Sequence, residues 1–285
     1  MRRMDLPPSA LRDAVTLLAP PVQAAPLVFA SPHSGRRYDA AFLAAARLDP
    51  QALRRSEDCF VDELFAAAPA HGAPLLAATF PRAFCDANRE PWELDPAMFA
   101  DPLPPWVNTG SARVAAGLGT IARVVASGEA IYRDRLRFAE AEARVRACWM
   151  PFHAALQDLI AATRTRFGRC LLIDCHSMPA AQPGAPPGAG ADIVLGDAHG
   201  TACGARTVRL AQDTLERLGY RVRRNEPYAG GYITRHYGRP REGVEALQVE
   251  ICRSLYMDEA RFARRTSFAA VQRDMTALIA ALAAG

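Results

Sequence analysis

Two histidines of this 285-residue sequence stand near the ends of apolar runs, and each is followed by a serine. His33 comes after the run Leu27–Ala30, and His176 comes after a run that begins at Leu171. A single histidine in such a place is more often structural, but two in similar surroundings favour a shared metal ion. Catalytic zinc sites use three protein ligands and leave the fourth position to water. The pattern predicts one divalent metal ion, with zinc as the first candidate and cobalt, manganese or iron as alternatives.

The third metal ligand and an acid–base group should both be carboxylates. Asp58 or Glu57, which follow the first histidine along the chain, could supply the ligand, and their spacing does not choose between them. Glu250 stands between two apolar residues, so its carboxylate, if buried, must be paired, protonated or bound to a metal. Two interpretations of Glu250 stay open: a general base that activates water, and a buried ion pair with an arginine.

Two further stretches combine arginine with other polar groups. Asn88 and Arg89 follow an apolar run and could form a hydrogen-bonding fork for a substrate carboxylate, although a turn with a solvated arginine is the alternative. Arg235 and His236 follow a diglycine, in a segment that is either a substrate loop or a tight hairpin.

Two other types of hydrolase are disfavoured. A nucleophile–base pair of Cys175 and His176 is disfavoured, because neighbours in a strand point to opposite faces. The GxSxG motif of the α/β serine hydrolases is absent. These exclusions favour a metal-dependent hydrolase.

Strands that alternate with helices must position these groups. Apolar runs predict strands over residues 27–31, 75–80, 170–175, 193–195 and 247–251, and an edge strand over 221–224. Helical spacing predicts helices over 54–68, 129–166 (broken at Pro151), 207–218 and 258–283. Residues 1–24 are expected to form an edge strand or an arm, 92–110 a structured loop, and 178–190 a mobile loop beside the site. The alternation predicts an α/β fold with a mixed, mostly parallel sheet, in a single domain over 1–285.

The composition excludes several classes of protein. Half of the residues are hydrophobic and 22% are charged, so the chain can bury a full-sized core. The formal net charge is only +4, and the 34 basic residues, all arginines, are spread along the sequence, which disfavours a nucleic-acid-binding protein. No apolar run reaches the length of a membrane span.

The cysteines and the first residues predict the compartment. The seven cysteines are odd in number and irregularly spaced, which is typical of reduced, buried thiols. No apolar segment follows the basic residues of the N-terminus, so no signal peptide is expected. We therefore expect a cytoplasmic protein.

Nine stretches, in order along residues 27–260, together resemble the N-formylglutamate amidohydrolase family. They are SPHSGRRY (31–38), SEDCFVDELF (56–65), RAFCDANREPWELDPAMF (82–99), GLGTIARVV (117–125), GEAIYRDRL (128–136), LLIDCHSMP (171–179), ADIVLGDAHG (191–200), NEPYAGGYITRHYG (225–238) and LQVEICRSLYMDE (247–259). The family is similar to the zinc-carboxypeptidase-like hydrolases. This resemblance implies a three-layer α/β/α fold with a central mixed sheet.

Carried over to this sequence, the resemblance assigns roles to the candidate residues. It implies that His33, Asp58 and His176 bind the metal and that Glu250 is the general base. It also implies that three polar residues bind the carboxylates of the substrate, namely Asn88, Arg89 and Arg235.

The sequence departs from the wider class at one ligand position. Zinc carboxypeptidases place a glutamate three residues after the first histidine, and this chain has Arg36 there. The carboxylate ligand must therefore come from elsewhere, so the choice between Glu57 and Asp58 stays open.

The resemblance implies cleavage of N-formyl-L-glutamate to formate and L-glutamate, the last step of one route of histidine breakdown. The same chemistry on another N-acyl amino acid or on a small peptide is one alternative. A metal- and carboxylate-binding module without turnover is another. In each case the expected partner is a small molecule with carboxylate groups. We expect no nucleic-acid or membrane partner, and the sequence leaves open whether the chain forms a homo-oligomer.

Overall fold

The computed structural model of the chain describes residues 14–180 and 190–285. The strands are β1 (Val15–Leu18), β2 (Leu27–Ser31), β3 (Leu75–Ala78), β4 (Cys170–Met178), β5 (Ile193–Gly196), β6 (Val222–Arg224), β7 (Val244–Cys252), β8 (Met257–Asp258) and β9 (Ala263–Arg264). The helices are α1 (Ala40–Ala45), α2 (Pro50–Leu53), α3 (Val61–Leu64), α4 (Ala112–Ala115), α5 (Phe138–Arg144), α6 (Met150–Phe167), α7 (Ala205–Arg217), α8 (Tyr232–Tyr237) and α9 (Phe268–Ala284). None of the helices in these two ranges combines the length and the apolar character needed to cross a bilayer.

Seven strands form one sheet in the order β1-β3-β2-β4-β7-β5-β6. The central strands β2, β4 and β7 are parallel, β5 runs antiparallel to β7, and β6 is parallel to β5. The predicted α/β fold with a mixed, mostly parallel sheet flanked by helices is confirmed. Strand β1 lies at one edge of the sheet, as expected for the first segment, and residues 1–13 lie outside the described residues.

The two faces of the central strands differ because side chains alternate along a strand. Ile173 and Cys175 of β4, with Leu247 and Val249 of β7, belong to a core that helices α3, α7 and α9 cover. The residues between them point to the other face of the sheet. They are polar, and they build the candidate site described below.

The described residues divide into two compact units. One consists of Leu17–Ser31, Asp58–Leu76 and Gln157–Gly285, and it contains the core of the central strands. The other consists of Pro32–Glu57, Ala77–Leu156 and the described part of Met1–Thr16. This second unit has its own apolar cluster, which includes Phe42, Leu53 and Ile131. That the whole chain forms a single domain stays a prediction.

The continuous helix predicted over 54–68 is wrong. Helix α2 ends at Leu53, a 3-10 turn follows over Arg54–Ser56, and α3 has only four residues. Phe60 has a φ of 66°, a left-handed conformation through which a right-handed helix cannot continue. Residues 57–59 therefore lie outside any helix, and the side chain of Asp58 reaches the site described below.

The break predicted at Pro151 is present as a π-helical segment just before that residue, and the chain stays helical through it. Helix α6 runs through Pro151 to Phe167, and the residues before it form a π-helical segment, Val145–Trp149. Proline has no N–H and its ring clashes with the carbonyl one turn earlier, so a regular α-helix cannot accommodate it without distortion. A π-helical turn at this point widens the helix and relieves that clash. The helix begins at Phe138 rather than near residue 129.

Other predicted elements differ mainly at their ends. Strand β4 continues to Met178, because each of its nine residues pairs with β7. The last helix begins at Phe268 rather than 258, because 257–264 contain the small hairpin of β8 and β9. The segment 228–236 contains most of helix α8, so the tight-hairpin interpretation of it is wrong. Most of the loop predicted over 178–190 lies outside the described residues.

Candidate active site

Strands β4 and β7 carry two rows of polar residues on one face of the sheet. The parallel register pairs Asp174 with Gln248 and His176 with Glu250. All four side chains are buried. Because buried polar groups need hydrogen-bond partners, this face must contain a connected polar network.

His176 lies between two carboxylates. Its Nε2 is 2.8 Å from Oδ1 of Asp174, and its Nδ1 is 3.0 Å from Oδ2 of Asp58. Burial lowers the pKa of His176, but the carboxylates of Asp174, Asp58 and Glu250 raise it, and the net pKa lies well above that of an ordinary histidine. The surrounding carboxylates therefore favour the protonated form of His176 when no metal ion is bound.

Asp58 is held by a second group, on the side of its carboxylate away from His176. Nη2 of the buried Arg253 donates to Oδ1 of Asp58 over 2.9 Å, and Nε of Arg253 donates to Oγ of Ser177 over 3.1 Å. Oδ1 of Asp58 is thus held by the guanidinium while Oδ2 faces the imidazole of His176. Sequence reasoning missed Arg253, because nothing distinguishes it from the other arginines of the chain.

His33 is held by a different aspartate. Its Nε2 is 2.7 Å from Oδ1 of Asp86. Burial raises the pKa of Asp86, but the guanidinium groups of Arg82 and Arg89 and the His33 ring together lower it by more. The net pKa therefore lies well below the usual range. The backbone N–H of Asn88 also donates to Oδ1 of Asp86, over 2.8 Å. Sequence reasoning missed Asp86, although it lies in the same stretch as the predicted Asn88 and Arg89.

One ligand atom from each of His33, Asp58 and His176 lies within 4.8 Å of the other two, and all three residues are buried. Two imidazoles and one carboxylate are the donor set of catalytic zinc sites with an open position. The second ring nitrogen of each histidine is bonded to an aspartate, as is common for histidines that bind metals. The residues present therefore fit a divalent metal ion, and the structure brings together the three predicted ligands.

The neighbouring Glu57 has different partners. Its carboxylate accepts hydrogen bonds from Nε and Nη2 of Arg54, over 3.0 and 3.2 Å, and from the hydroxyl of Tyr38 over 3.3 Å. Of the two candidates that the sequence left open, Asp58 is the one in the possible metal group.

The predicted anion-binding arginines have different surroundings. Arg89 is only 7% exposed, and it donates from Nε to the carbonyl of Leu118 and from Nη1 to that of Asn88, both over 2.9 Å. Burial lowers the pKa of Arg89 to about 10, although Asp86 opposes this shift. A desolvated guanidinium of this kind favours an anionic ligand. Arg235 lies on the exposed side of α8 and donates to the carbonyl of Gly230 over 2.9 Å.

Metal binding at this group is expected to release a proton from His176. The raised pKa of His176 favours its protonated form in the apo protein, and a metal ion that binds the ring must displace that proton. Affinity should therefore rise with pH, about tenfold per pH unit below that pKa. Calorimetric titrations with zinc in buffers of different ionisation enthalpy measure the released proton. An apparent enthalpy that is the same in all buffers would contradict this prediction.

Two buried histidines near the ends of parallel strands, with a buried carboxylate beside them and a glutamate in the adjoining strand, are groups that metal-dependent hydrolases use. A sequence model of the N-formylglutamate amidohydrolase family matches residues 25–257. The chain belongs to this family. As a member, it is a hydrolase that acts on an amide C–N bond.

Individual relatives agree with this assignment. The N-formylglutamate deformylase of Pseudomonas aeruginosa is 32% identical over 253 residues, which cover 87% of this chain and 88% of that protein. The N-formylglutamate deformylase of Pseudomonas putida is 29% identical, with 82% of each chain covered. The crystal structure of an N-formylglutamate amidohydrolase from Ralstonia eutropha superposes with a TM-score of 0.89 at 39% identity, covering 95% of this chain and 98% of that one.

Proposed function

We propose that this protein hydrolyses N-formyl-L-glutamate to formate and L-glutamate with a divalent metal ion, zinc being the first candidate. The observation that carries the proposal is the buried group of His33, Asp58 and His176, with Glu250 in register beside His176 on the next strand. The similarity to two bacterial N-formylglutamate deformylases supports the choice of substrate. The seven cysteines are buried and none forms a disulfide, which is consistent with a reducing compartment, and we infer a cytoplasmic location.

The histidines and the aspartate would hold the metal, and their partners would orient them. Asp86 and Asp174 would fix the ring orientations of His33 and His176 through the bonds to Nε2, which leaves Nδ1 of each ring for the metal. A divalent cation bound there would polarise the formyl carbonyl and lower the pKa of a bound water.

Glu250 is the proposed acid–base group of the reaction. Its carboxylate would accept a proton from the attacking water as the new C–O bond forms. It would then deliver that proton to the amide nitrogen as the C–N bond breaks, so that glutamate leaves as an amine. The position of Glu250 on the same face as His176 and in the same row is what this role requires.

Arg89 is the proposed anchor for a substrate carboxylate, with Asn88 beside it and Arg235 as a second anion contact. Nε and Nη1 of this buried guanidinium donate to backbone carbonyls, and Asp86 lies 3.8 Å from Nε, so the group is held in one orientation in which it could bind a substrate carboxylate. Holding the amino-acid part of the substrate would position its amide for attack.

Formate release from N-formyl-L-glutamate by the purified protein tests the proposal. We expect release that stops after chelation and returns when zinc is added back. If the protein binds one equivalent of zinc but releases no formate, the substrate is wrong, and N-acetyl amino acids and small N-acyl peptides should be tested in its place. If it neither binds zinc nor releases formate, the proposed function is wrong.

Replacing Arg89 by lysine should raise KM for N-formyl-L-glutamate by about tenfold or more and change kcat less. Lysine keeps the charge but loses the planar pair of donors that a carboxylate accepts. Steady-state kinetics measure the effect. Arg146→Lys, on an exposed ion pair with Glu142 in the same unit, is the matched control and should leave both constants unchanged. Equal constants for the wild type and the Arg89 variant would exclude Arg89 from substrate binding.

A further inference from the structure

Gln248 lies directly beside the proposed general base but belongs to neither the metal group nor the anion-binding residues. It precedes Glu250 by two residues on β7, so both side chains lie on the same face of the sheet. Gln248 is 3% exposed and Glu250 is 7% exposed. Nε2 of Gln248 donates a hydrogen bond to Oε1 of Glu250 over 2.9 Å.

The orientation of the Gln248 amide is fixed by a backbone group. The N–H of Gly231 donates to Oε1 of Gln248 over 2.7 Å. An amide N–H can only donate, so the oxygen of the side chain must face Gly231 and its NH₂ group must face Glu250. The donor beside the Glu250 carboxylate is therefore determined by the hydrogen-bond network.

The backbone at Gly231 is itself held in place by close packing. Gly196 of β5 lies opposite Gln248 in the antiparallel register. A Cβ at Gly196 would lie 2.8 Å from the carbonyl carbon of Ala229 and 3.0 Å from the carbonyl oxygen of Tyr228. The segment before α8 can therefore approach the sheet this closely only because residue 196 is glycine, and this approach brings Gly231 to Gln248.

We propose that Gln248 is a positioning residue for the hydrolytic reaction. It holds Oε1 of Glu250, so that the carboxylate keeps one orientation and presents Oε2 to the water and to the leaving nitrogen. The terminal torsion of a glutamate has broad minima, so this hydrogen bond narrows the range of orientations of the carboxylate. A misplaced general base can cost about 100-fold in rate. This inference rests on the proposed function, because it assigns a partner to the general base.

A purely structural role for Gln248 makes a different prediction, and two variants separate the roles. In Gln248→Glu the new carboxylate still accepts the Gly231 N–H, but it places a second charge or a shared proton against Glu250. In Gln248→Met both hydrogen bonds are lost. If Gln248 positions Glu250, both variants lose activity. If it only anchors the segment before α8, Gln248→Met alone is affected, and its defect is one of stability.

Steady-state kinetics of the metal-loaded variants provide the first test. We expect kcat to fall at least about tenfold in both variants, with KM within about twofold of the wild-type value. Metal content should be unchanged. Gln212→Glu is the matched control, because Gln212 makes the same kind of bond, from Nε2 to Oε1 of Glu216 over 2.8 Å, on an exposed face of α7. Unchanged kcat in Gln248→Glu would overturn the inference.

Crystal structures of the wild type and of Gln248→Met test the positioning without any assay. The carboxylate of Glu250 should rotate by more than about 30° or occupy two orientations in the variant. An unchanged carboxylate would overturn the inference even if activity fell. A wild-type protein that releases no formate, combined with a reoriented carboxylate in the variant, would keep Gln248 as the group that orients Glu250 and reject N-formyl-L-glutamate as the substrate.

Discussion

Replacing Glu250 by glutamine should lower kcat for formate release by about 10²–10⁴-fold, the usual contribution of a general base. The amide can no longer take a proton from the attacking water. Its oxygen can still accept the hydrogen bond from Gln248, so the fold around β7 should be kept. Zinc content, measured by mass spectrometry, and binding of L-glutamate, measured by calorimetry, should match those of the wild type.

Glu242→Gln is the matched control for this variant. Glu242 lies in the exposed 3-10 turn just before β7, and the same chemical change there should leave kcat unchanged. Full activity in Glu250→Gln would exclude Glu250 as the general base. A loss of activity that merely follows a loss of zinc would assign Glu250 to metal binding.

Replacing Asp58 by asparagine should reduce zinc affinity by more than about 100-fold, since even partners that only orient the ligands are worth 10–100-fold. The neutral amide is a weaker donor to a cation than a carboxylate. It also removes a negative charge that lies between His176 and Arg253. Zinc retained after dialysis, together with calorimetric titration of the apo protein, measures the loss.

Glu57→Gln makes the same chemical change one residue earlier. Its carboxylate binds Arg54 and Tyr38, so we expect unchanged zinc affinity and only a local effect on stability. The reverse result, with zinc lost from Glu57→Gln and retained in Asp58→Asn, would make Glu57 the ligand. Asp58→Asn and Glu57→Gln make the same change from carboxylate to amide, so comparing them tests which of the two carboxylates binds the metal.

The sequence was sufficient for the fold class because strand signals are local. The apolar runs at β2, β4 and β7 predicted parallel core strands, and all three are present at the centre of the sheet. Alternation along β4 and β7 also follows from the sequence, since a strand places every second residue on one face. The boundaries of helices were less predictable, as the left-handed Phe60 and the π-helical turn before Pro151 show.

The sequence also singled out His33, His176 and Glu250, because a polar side chain in or after an apolar run is conspicuous. It could not choose Asp58 over Glu57. The two are adjacent and chemically alike, and the difference lies in contacts with residues far away in the chain. Asp58 contacts His176, which lies 118 residues later in the sequence, whereas Glu57 accepts a hydrogen bond from Arg54, only three residues earlier.

The tertiary structure alone identified the groups that hold these side chains. Asp86 reaches His33 across 53 positions, Arg253 reaches Asp58 across 195, and Gln248 receives its orientation from Gly231 across 17. Such partners leave no periodic signal in a sequence, because hydrogen bonds in a buried network depend on strand register and on close approach of the backbone. The fold class and several of the candidate residues could thus be predicted from local patterns in the sequence. The orientation of each side chain depended on packing between residues far apart in the chain.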